Sequence, residues 1–533
     1  MLNKQTLIEI AMFLTLLSAT LVAWFAAPVR ASIIQVPQDY PTIQEAVNVA
    51  GTGDTIQVDA GTYPENVKVT TSVTIAGASS TTTFVDGGSS DMVFDIQADN
   101  VELRDLTICN GGSYSGVTIY YPYDGLVIRN TRILENSVGV VISEADGNTI
   151  EDSVFINNSV YSIDVTTSTN NIIRNNQISE SAYGLEISET SSSQIVNNTI
   201  SDTSYGIYLP YSSGNNISAN TLNSNSWHIY LTHSDSNTVG DNTISGGTVG
   251  IQIMHSQGNS VFNNTVSNVS YGIYMGHCGA NTVSGNTMSL CDWGIELYNS
   301  TGSTIKENLV WSNTWGFYLA INTKWNYIYH NNALDNVKQA FQDLTSGQNT
   351  WRTTTTPYQG NYWSNYIGKD TNGDGVGDTY LPWEGVDWYP LIEPWGVTRD
   401  VAVISVTPSA NQVYKGETVY ITVVIENQGT WIETFNVTVK YENASLGIFG
   451  TIGTQEVSNL APSTEKTLIF TWDTSNLQVD TIYLILAEAD EVPGEVDTGD
   501  NVLSGGFVKV KVKPPAYSFG GGPTPVFDIP NTP

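Results

Sequence analysis

Three of the five histidines, His233, His255 and His277, stand 22 residues apart. On parallel strands stacked about 4.8 Å apart, such a column sets imidazoles side by side, near enough to share a transition metal. Met254, Cys278 and Asp235 lie close by in sequence, and His, Met and Cys together suit copper. A ladder of stacked neutral imidazoles needs the same spacing and no metal. A second column on this interval contains Asp164, Glu186, Tyr208, Tyr230, Tyr274, Glu296 and Tyr318, with Val141 and Gln252 among them. Aromatic faces stack on pyranose rings and carboxylates accept sugar hydroxyls, so this column is the expected ligand-binding face. A third column, Tyr161, Tyr183, Tyr205, Trp227, Val249, Tyr271, Trp293 and Trp315, has the parity of inward positions, which predicts core or corner packing.

Glycoside hydrolysis needs two carboxylates flanking the bond. Glu180 with Asp202, or Glu186 with Glu189, can be placed in that way. The paired-Asp and Gly-His-Gly pattern of polygalacturonases is absent, as is the Asp-Pro-His-Asp of alginate epimerases. Arg129, Glu151 and Arg174 read as a salt-bridge ladder. Further on, Asp370, Asn372, Asp374 and Asp378 occupy positions 1, 3, 5 and 9 of a calcium-type loop, with Gly375 at position 6 and the Val376 carbonyl as the seventh-position ligand. Leu381 stands where the bidentate Glu belongs, and Glu384 is the nearest substitute. The alternative is a solvated loop of Asx turns.

A repeat must position these columns. Gly184, Gly206, Gly250, Gly272, Gly294 and Gly316 lie on one grid of period 22, with His228 at the missing step. One and three residues past each grid point the chain is apolar, as in Ile207 and Leu209, or Ile273 and Met275. Period-2 alternation repeated at a fixed interval means strands stacked in register. A second apolar column runs from Ile128 to Ile328. Three residues behind it come Thr131, Ser153, Asn176, Asn198, Asn220, Asn242, Asn264, Asn286, Asn308 and Asn331. This Asn series predicts a turn ladder, its residues in left-handed backbone and its amides bonded from coil to coil. The fold predicted is an all-β right-handed parallel β-helix with two or three short strands per coil. Thr42 and Glu45 frame a capping box for a short helix that closes its first end.

Residues 36–46, Val-Pro-Gln-Asp-Tyr-Pro-Thr-Ile-Gln-Glu-Ala, residues 61–67, Gly-Thr-Tyr-Pro-Glu-Asn-Val, and the Asn-Thr-Ile coils resemble the NosD-like family of exported β-helix proteins. The resemblance covers about 33 to 395. It implies the right-handed β-helix, a periplasmic copper-binding label, and kinship with carbohydrate-binding proteins and sugar hydrolases. Residues 426–429 and 491–501 resemble the CARDB family, an immunoglobulin-like β-sandwich linked with cell adhesion, and this implies no chemistry.

The expected organisation is a signal peptide over 1–31, β-helix over 32–350, an aromatic capping segment with the calcium-type loop over 351–397, a sandwich over 398–513, and a flexible Pro/Gly tail over 514–533. Lys4, the apolar run 10–27 and Val29-Arg30-Ala31 carry the signal reading. No second run is long enough to span a membrane, so after cleavage no span is expected. Eight N-x-Ser/Thr sequons fit an exported glycoprotein, and three cysteines are too few for a disulfide framework.

Nineteen Lys and Arg against 52 Asp and Glu give a net charge of -33. That excludes nucleic acid as the main partner. The partners expected are a polysaccharide or cell-surface glycan and divalent cations, calcium for the loop and copper for the His column. The function expected is a secreted or cell-surface binding protein rather than an enzyme. The alternatives are copper handling and a polysaccharide hydrolase or lyase.

Overall fold

The computed structural model describes residues 31–515, apart from 444, 493, 494 and 496. The signal segment and most of the tail lie outside this range. The chain divides into two compact units at Trp395/Gly396.

The first unit is a parallel β-solenoid of three sheets, with 14, 13 and 14 strands, each strand pairing with the one a coil later. Its core is a column of Ile, Val and Leu from all three sheets, for example Ile195, Ile200, Ile207 and Leu209, all fully buried. The single helix among the described residues, Ile43–Val49, covers the first coil and buries Ile43, Ala46 and Val47. Thr42 Oγ1 accepts the Glu45 N–H at 3.1 Å, as the capping box predicts. Glu65 from the next coil accepts the N–H groups of Ile43 and Gln44, both at 3.0 Å, placing an anion at the helix N-terminus.

Polar ladders run inside the corners. Asn242 N and Nδ2 both donate to Asn264 Oδ1, at 3.0 and 2.9 Å, and Nδ2 also donates to Ile217 O at 3.0 Å. The same pattern links Asn176, Asn198, Asn220, Asn264, Asn286, Asn308, Asn331 and Asn361. The coil-to-coil amide bonds are as expected, but the left-handed residues are not the ladder asparagines. They are the residues just before them, such as Asn175, Asn197, Ala219 and Asp241, with φ between 55° and 58°. A buried amide must reach two coils at once, so the turn strain falls on its exposed neighbour.

The grid glycines permit close stacking: a Cβ on Gly206 would meet His228 O at 2.7 Å. His228, fully buried, turns its ring inward, with Nδ1 2.9 Å from Val249 O and Nε2 3.2 Å from Ser245 O. Gly247 leaves room for it.

The second unit is a β-sandwich. One sheet holds Val401–Pro408, Thr418–Asn427 and Thr464–Asp473. The other orders Gln412–Tyr414, Val502–Lys511, Thr481–Ala489, Glu433–Asn443 and Ile448–Leu460. Val419, Ile421, Val437, Val439, Tyr483 and Ile485 fill the space between them, none more than marginally exposed. Among the described residues, no helix is long and apolar enough to cross a membrane.

Candidate functional site

The site lies on the outer face of the 13-stranded sheet. Asp164, Glu186, Tyr208, Tyr230, Gln252, Tyr274, Glu296 and Tyr318 are in-register neighbours along it, all half-buried. The column is therefore continuous in register, as its spacing predicts.

The third column belongs to the same face and not to the core. Its rings are half-buried and stacked: Tyr183–Tyr205 at 4.7 Å, Tyr205–Trp227 at 4.9 Å and Tyr271–Trp293 at 4.6 Å between centroids. The parity argument misplaced them because each strand bends at the grid residue. Tyr205 pairs with Trp227 and Ile207 with Ile229, while the grid residue between is skipped. The residues one before and two after the grid point then both face out. Cross-contacts knit the columns, with Tyr205–Tyr208 at 5.4 Å and Tyr208–Tyr230 at 5.2 Å.

Two acidic positions sit within this aromatic field. Asp164 and Glu186 are direct register partners on adjacent coils. Burial raises both carboxyls, and the nearby Asp164 raises Glu186 further, against a hydrogen bond from Tyr161 that lowers it. This pair lies on the sheet face, whereas Glu180 and Asp202, also on adjacent coils, follow the register partners Ser179 and Ser201 into a corner. Glu180 and Asp202 instead occupy left-handed corner positions, and Glu189 lies at another corner with φ 51°. The sequence signal was available, since Asp164 and Glu186 are consecutive members of one column. Further along, Glu296 lines a cleft of about 330 Å³ with Trp227, Thr248, Val249, Gln252, Tyr271 and Tyr274. Burial pushes its carboxyl up to about 7.

The histidine column occupies a corner. His233, His255 and His277 have φ of 52°, 51° and 55°, as does Tyr211 before them at 53°. Their rings stack at 4.9 and 4.8 Å, with Tyr211 at 5.0 Å from His233. Cys278 points inward, where its Sγ lies 3.2 Å from Ile253 O and Gly276 O; burial pushes the thiol up to about 11. It replaces a serine in the ladder Ser212–Ser234–Ser256.

The Asp370–Asp378 loop is folded by its own carboxylates. Asp370 accepts the N–H groups of Asn372, Gly373 and Gly375, Asn372 Oδ1 that of Asp374, and Asp374 that of Val376. Asp378 Oδ2 accepts Thr371 N and Oγ1 at 2.7 and 2.6 Å. The hydrogen bond from Gly375 chiefly holds the Asp370 carboxyl below its usual range, and that from Thr371 does so for Asp378. Among the described residues, no group of three or more His, Cys, Asp or Glu converges to hold a metal ion.

Comparison with family models now places these features. Residues 65–222 and 115–266 match "Right handed beta helix region", 228–368 match "Periplasmic copper-binding protein (NosD)", and 398–504 match CARDB. Along the chain, regions similar to the β-helix and NosD models are followed by one similar to the CARDB model. Comparison with curated proteins gives no match. Among solved structures, a PL6 alginate lyase complexed with a trisaccharide is similar over 63% of this chain and 93% of its own, at 14% identity and TM-score 0.47. DFA-IIIase from Arthrobacter chlorophenolicus A6 is similar over 57% and 89%, at 15% identity and TM-score 0.42. The CARDB domain of the PF1109 protein from Pyrococcus furiosus, in complex with di-metal ions, covers 22% of this chain and 96% of its own, at 22% identity and TM-score 0.18.

A copper ion shared by the His column would need imidazole nitrogens converging on one point, at about 2 Å as in zinc sites. Rings stacked face to face carry their in-plane lone pairs nearly parallel. His277 Nδ1 lies 2.7 Å from Asn299 Nδ2 and His233 Nδ1 3.1 Å from Thr232 Oγ1, so the two outer rings have separate partners. The stack in this arrangement does not fit a shared copper ion.

Proposed function

We propose that the NosD-type β-helix binds polysaccharide outside the cytoplasm, along the aromatic and acidic face of its 13-stranded sheet. The carrying observation is the ladder Tyr161, Tyr183, Tyr205 and Trp227, packed coil upon coil with centroids 4.7–4.9 Å apart. Tyr208 and Tyr230 flank it. Such a surface offers rigid aromatic edges with polar tips at low entropic cost, which suits sugar rings. An extended face running over many coils suits a chain ligand better than a small molecule. Periplasmic NosD kinship supports the extracytoplasmic setting. The CARDB domain then serves as an adhesion or spacer module.

A second reading, glycoside cleavage, is favoured by the Asp164–Glu186 pair. Two carboxyls with raised affinity for protons stand on adjacent coils, and such chemistry uses paired carboxyls with shifted pKa values. A panel of neutral and acidic polysaccharides, read for both retention and released reducing ends or unsaturated products, separates the two. Retention without product supports binding; product lost in Asp164→Asn and Glu186→Gln supports cleavage; neither signal removes both.

A further inference from the structure

The aromatic ladder is interrupted once. Val249 stands in register between Trp227 and Tyr271, where its neighbours along the column carry rings. It is 5% exposed and leaves no ring at that level. At about 4.8 Å per coil, Trp227 and Tyr271 are about 9–10 Å apart, two steps of the stack. A ring placed midway would sit about 4.8 Å from each. The ladder itself uses that spacing on either side, 4.9 Å for Tyr205–Trp227 and 4.6 Å for Tyr271–Trp293.

The cleft of about 330 Å³ lies at this interruption, at the small end of ligand pockets. Its floor is the Val249 side chain and its walls are two aromatic residues. Its polar members are Thr248, Gln252, Tyr274 and Glu296. Trp227 Nε1 donates to Gln252 Oε1 at 3.1 Å, which fixes the indole against rotation. The slot is therefore bounded by rigid groups before any ligand arrives.

Resting on the polysaccharide reading above, we propose that one neutral pyranose ring of the ligand fills the rung that Val249 omits, its two C–H faces sandwiched by Trp227 and Tyr271 and its hydroxyl edge turned to Gln252 and Glu296. A uronate is disfavoured there by the acidic protein, at a net charge of -33. A fully aromatic ligand would leave the polar members of the slot without partners.

The test compares the full chain with its Val249→Tyr variant. The equivalent position carries Trp227 and Tyr271 on the adjoining coils and Tyr205 one coil further, so the variant continues the ladder with a ring type that the fold already holds there. Methyl glycosides of glucose, galactose and mannose are the small probes, with phenol as the aromatic probe, read by saturation-transfer NMR. Polysaccharide retention on an affinity gel is read in parallel. Saturation of a methyl glycoside in the wild type, weakened at least tenfold by Val249→Tyr, supports the slot. Polysaccharide retention with no glycoside signal, or with a signal equal in both proteins, overturns the slot and leaves the face standing. Phenol saturation alone, lost in the variant, overturns the pyranose assignment. Absence of any polysaccharide retention removes the face and the slot together.

Discussion

Asp387 Oδ2 accepts both the backbone N–H and the side-chain amide of Asn361, at 3.0 and 3.3 Å. It also accepts Trp363 Nε1 at 3.0 Å, while Oδ1 accepts Tyr389 N at 2.8 Å. Asn361 is the last amide of the ladder that begins at Asn176. Each rung donates forward, so the final donors need an acceptor that has no further rung to serve. A fully buried carboxylate supplies it, and Gly360 makes room, since a Cβ there would lie 2.3 Å from Asp387 Oδ1.

Asp387→Ala leaves these four N–H groups without their acceptor. A loss of about 3–5 kcal/mol of stability is expected. Amide hydrogen exchange at 361–363 reads it directly, and should accelerate there before it does at the far end of the solenoid. Unchanged protection at 361–363 would refute the capping role.

Within the ladder, Asn242→Ala removes a donor to Asn264 and Ile217 and the acceptor of Asn220, all in the interior. The expected cost is about 2–4 kcal/mol. Asn223→Ala, on the exposed side of the adjacent strand, should stay within about 0.5 kcal/mol. Denaturant titration of both variants checks the contrast.

Glu296 should make stability depend on pH. Its folded pKa is raised to about 7 from a model-peptide value of 4.5 by burial. The folded state therefore holds a proton that the unfolded chain has released. The contribution is fully present below about pH 4.5 and is lost as pH rises through about 7. Its half-exposed setting keeps the effect to about 1–2 kcal/mol. Glu296→Gln should flatten this part of the profile, measured by denaturation between pH 4 and 8.

The His255 imidazole is held below its ordinary pKa, by burial first and by His277 and His233 next. Replacing both neighbours with Asn should move its titration upward, read from the ring proton shifts by NMR. Because the folded pKa is depressed, the stack loses stability as pH falls from the unfolded histidine value through the folded one.

The repeat, its inward columns and the outward Tyr and carboxylate column were legible because a solenoid writes each contact 22 residues from its partner. The parity of the Tyr205 column was not, because one skipped residue at the grid point resets the alternation, and no single side chain marks a bend. The left-handed turn was shifted by one, from Asn176 to Asn175, because Asn suits both a strained turn and a buried amide ladder. The histidines showed their spacing but not their ring planes, which decide between stacking and chelation. Asp387 lies far from any repeat, so its place at the end of the ladder had no periodic signal.

The central claim is tested most directly by polysaccharide retention on an affinity gel series, comparing the wild type with Tyr205→Ala/Tyr230→Ala. The rings pack against neighbouring rings at 4.7–5.2 Å and are half-buried, so circular dichroism must first show both proteins folded. Removing two sugar-stacking rings is expected to weaken retention about tenfold to a hundredfold, or roughly 1.4–2.8 kcal/mol. Equal retention by the two folded proteins, or none by the wild type across neutral and acidic polysaccharides, would contradict the account.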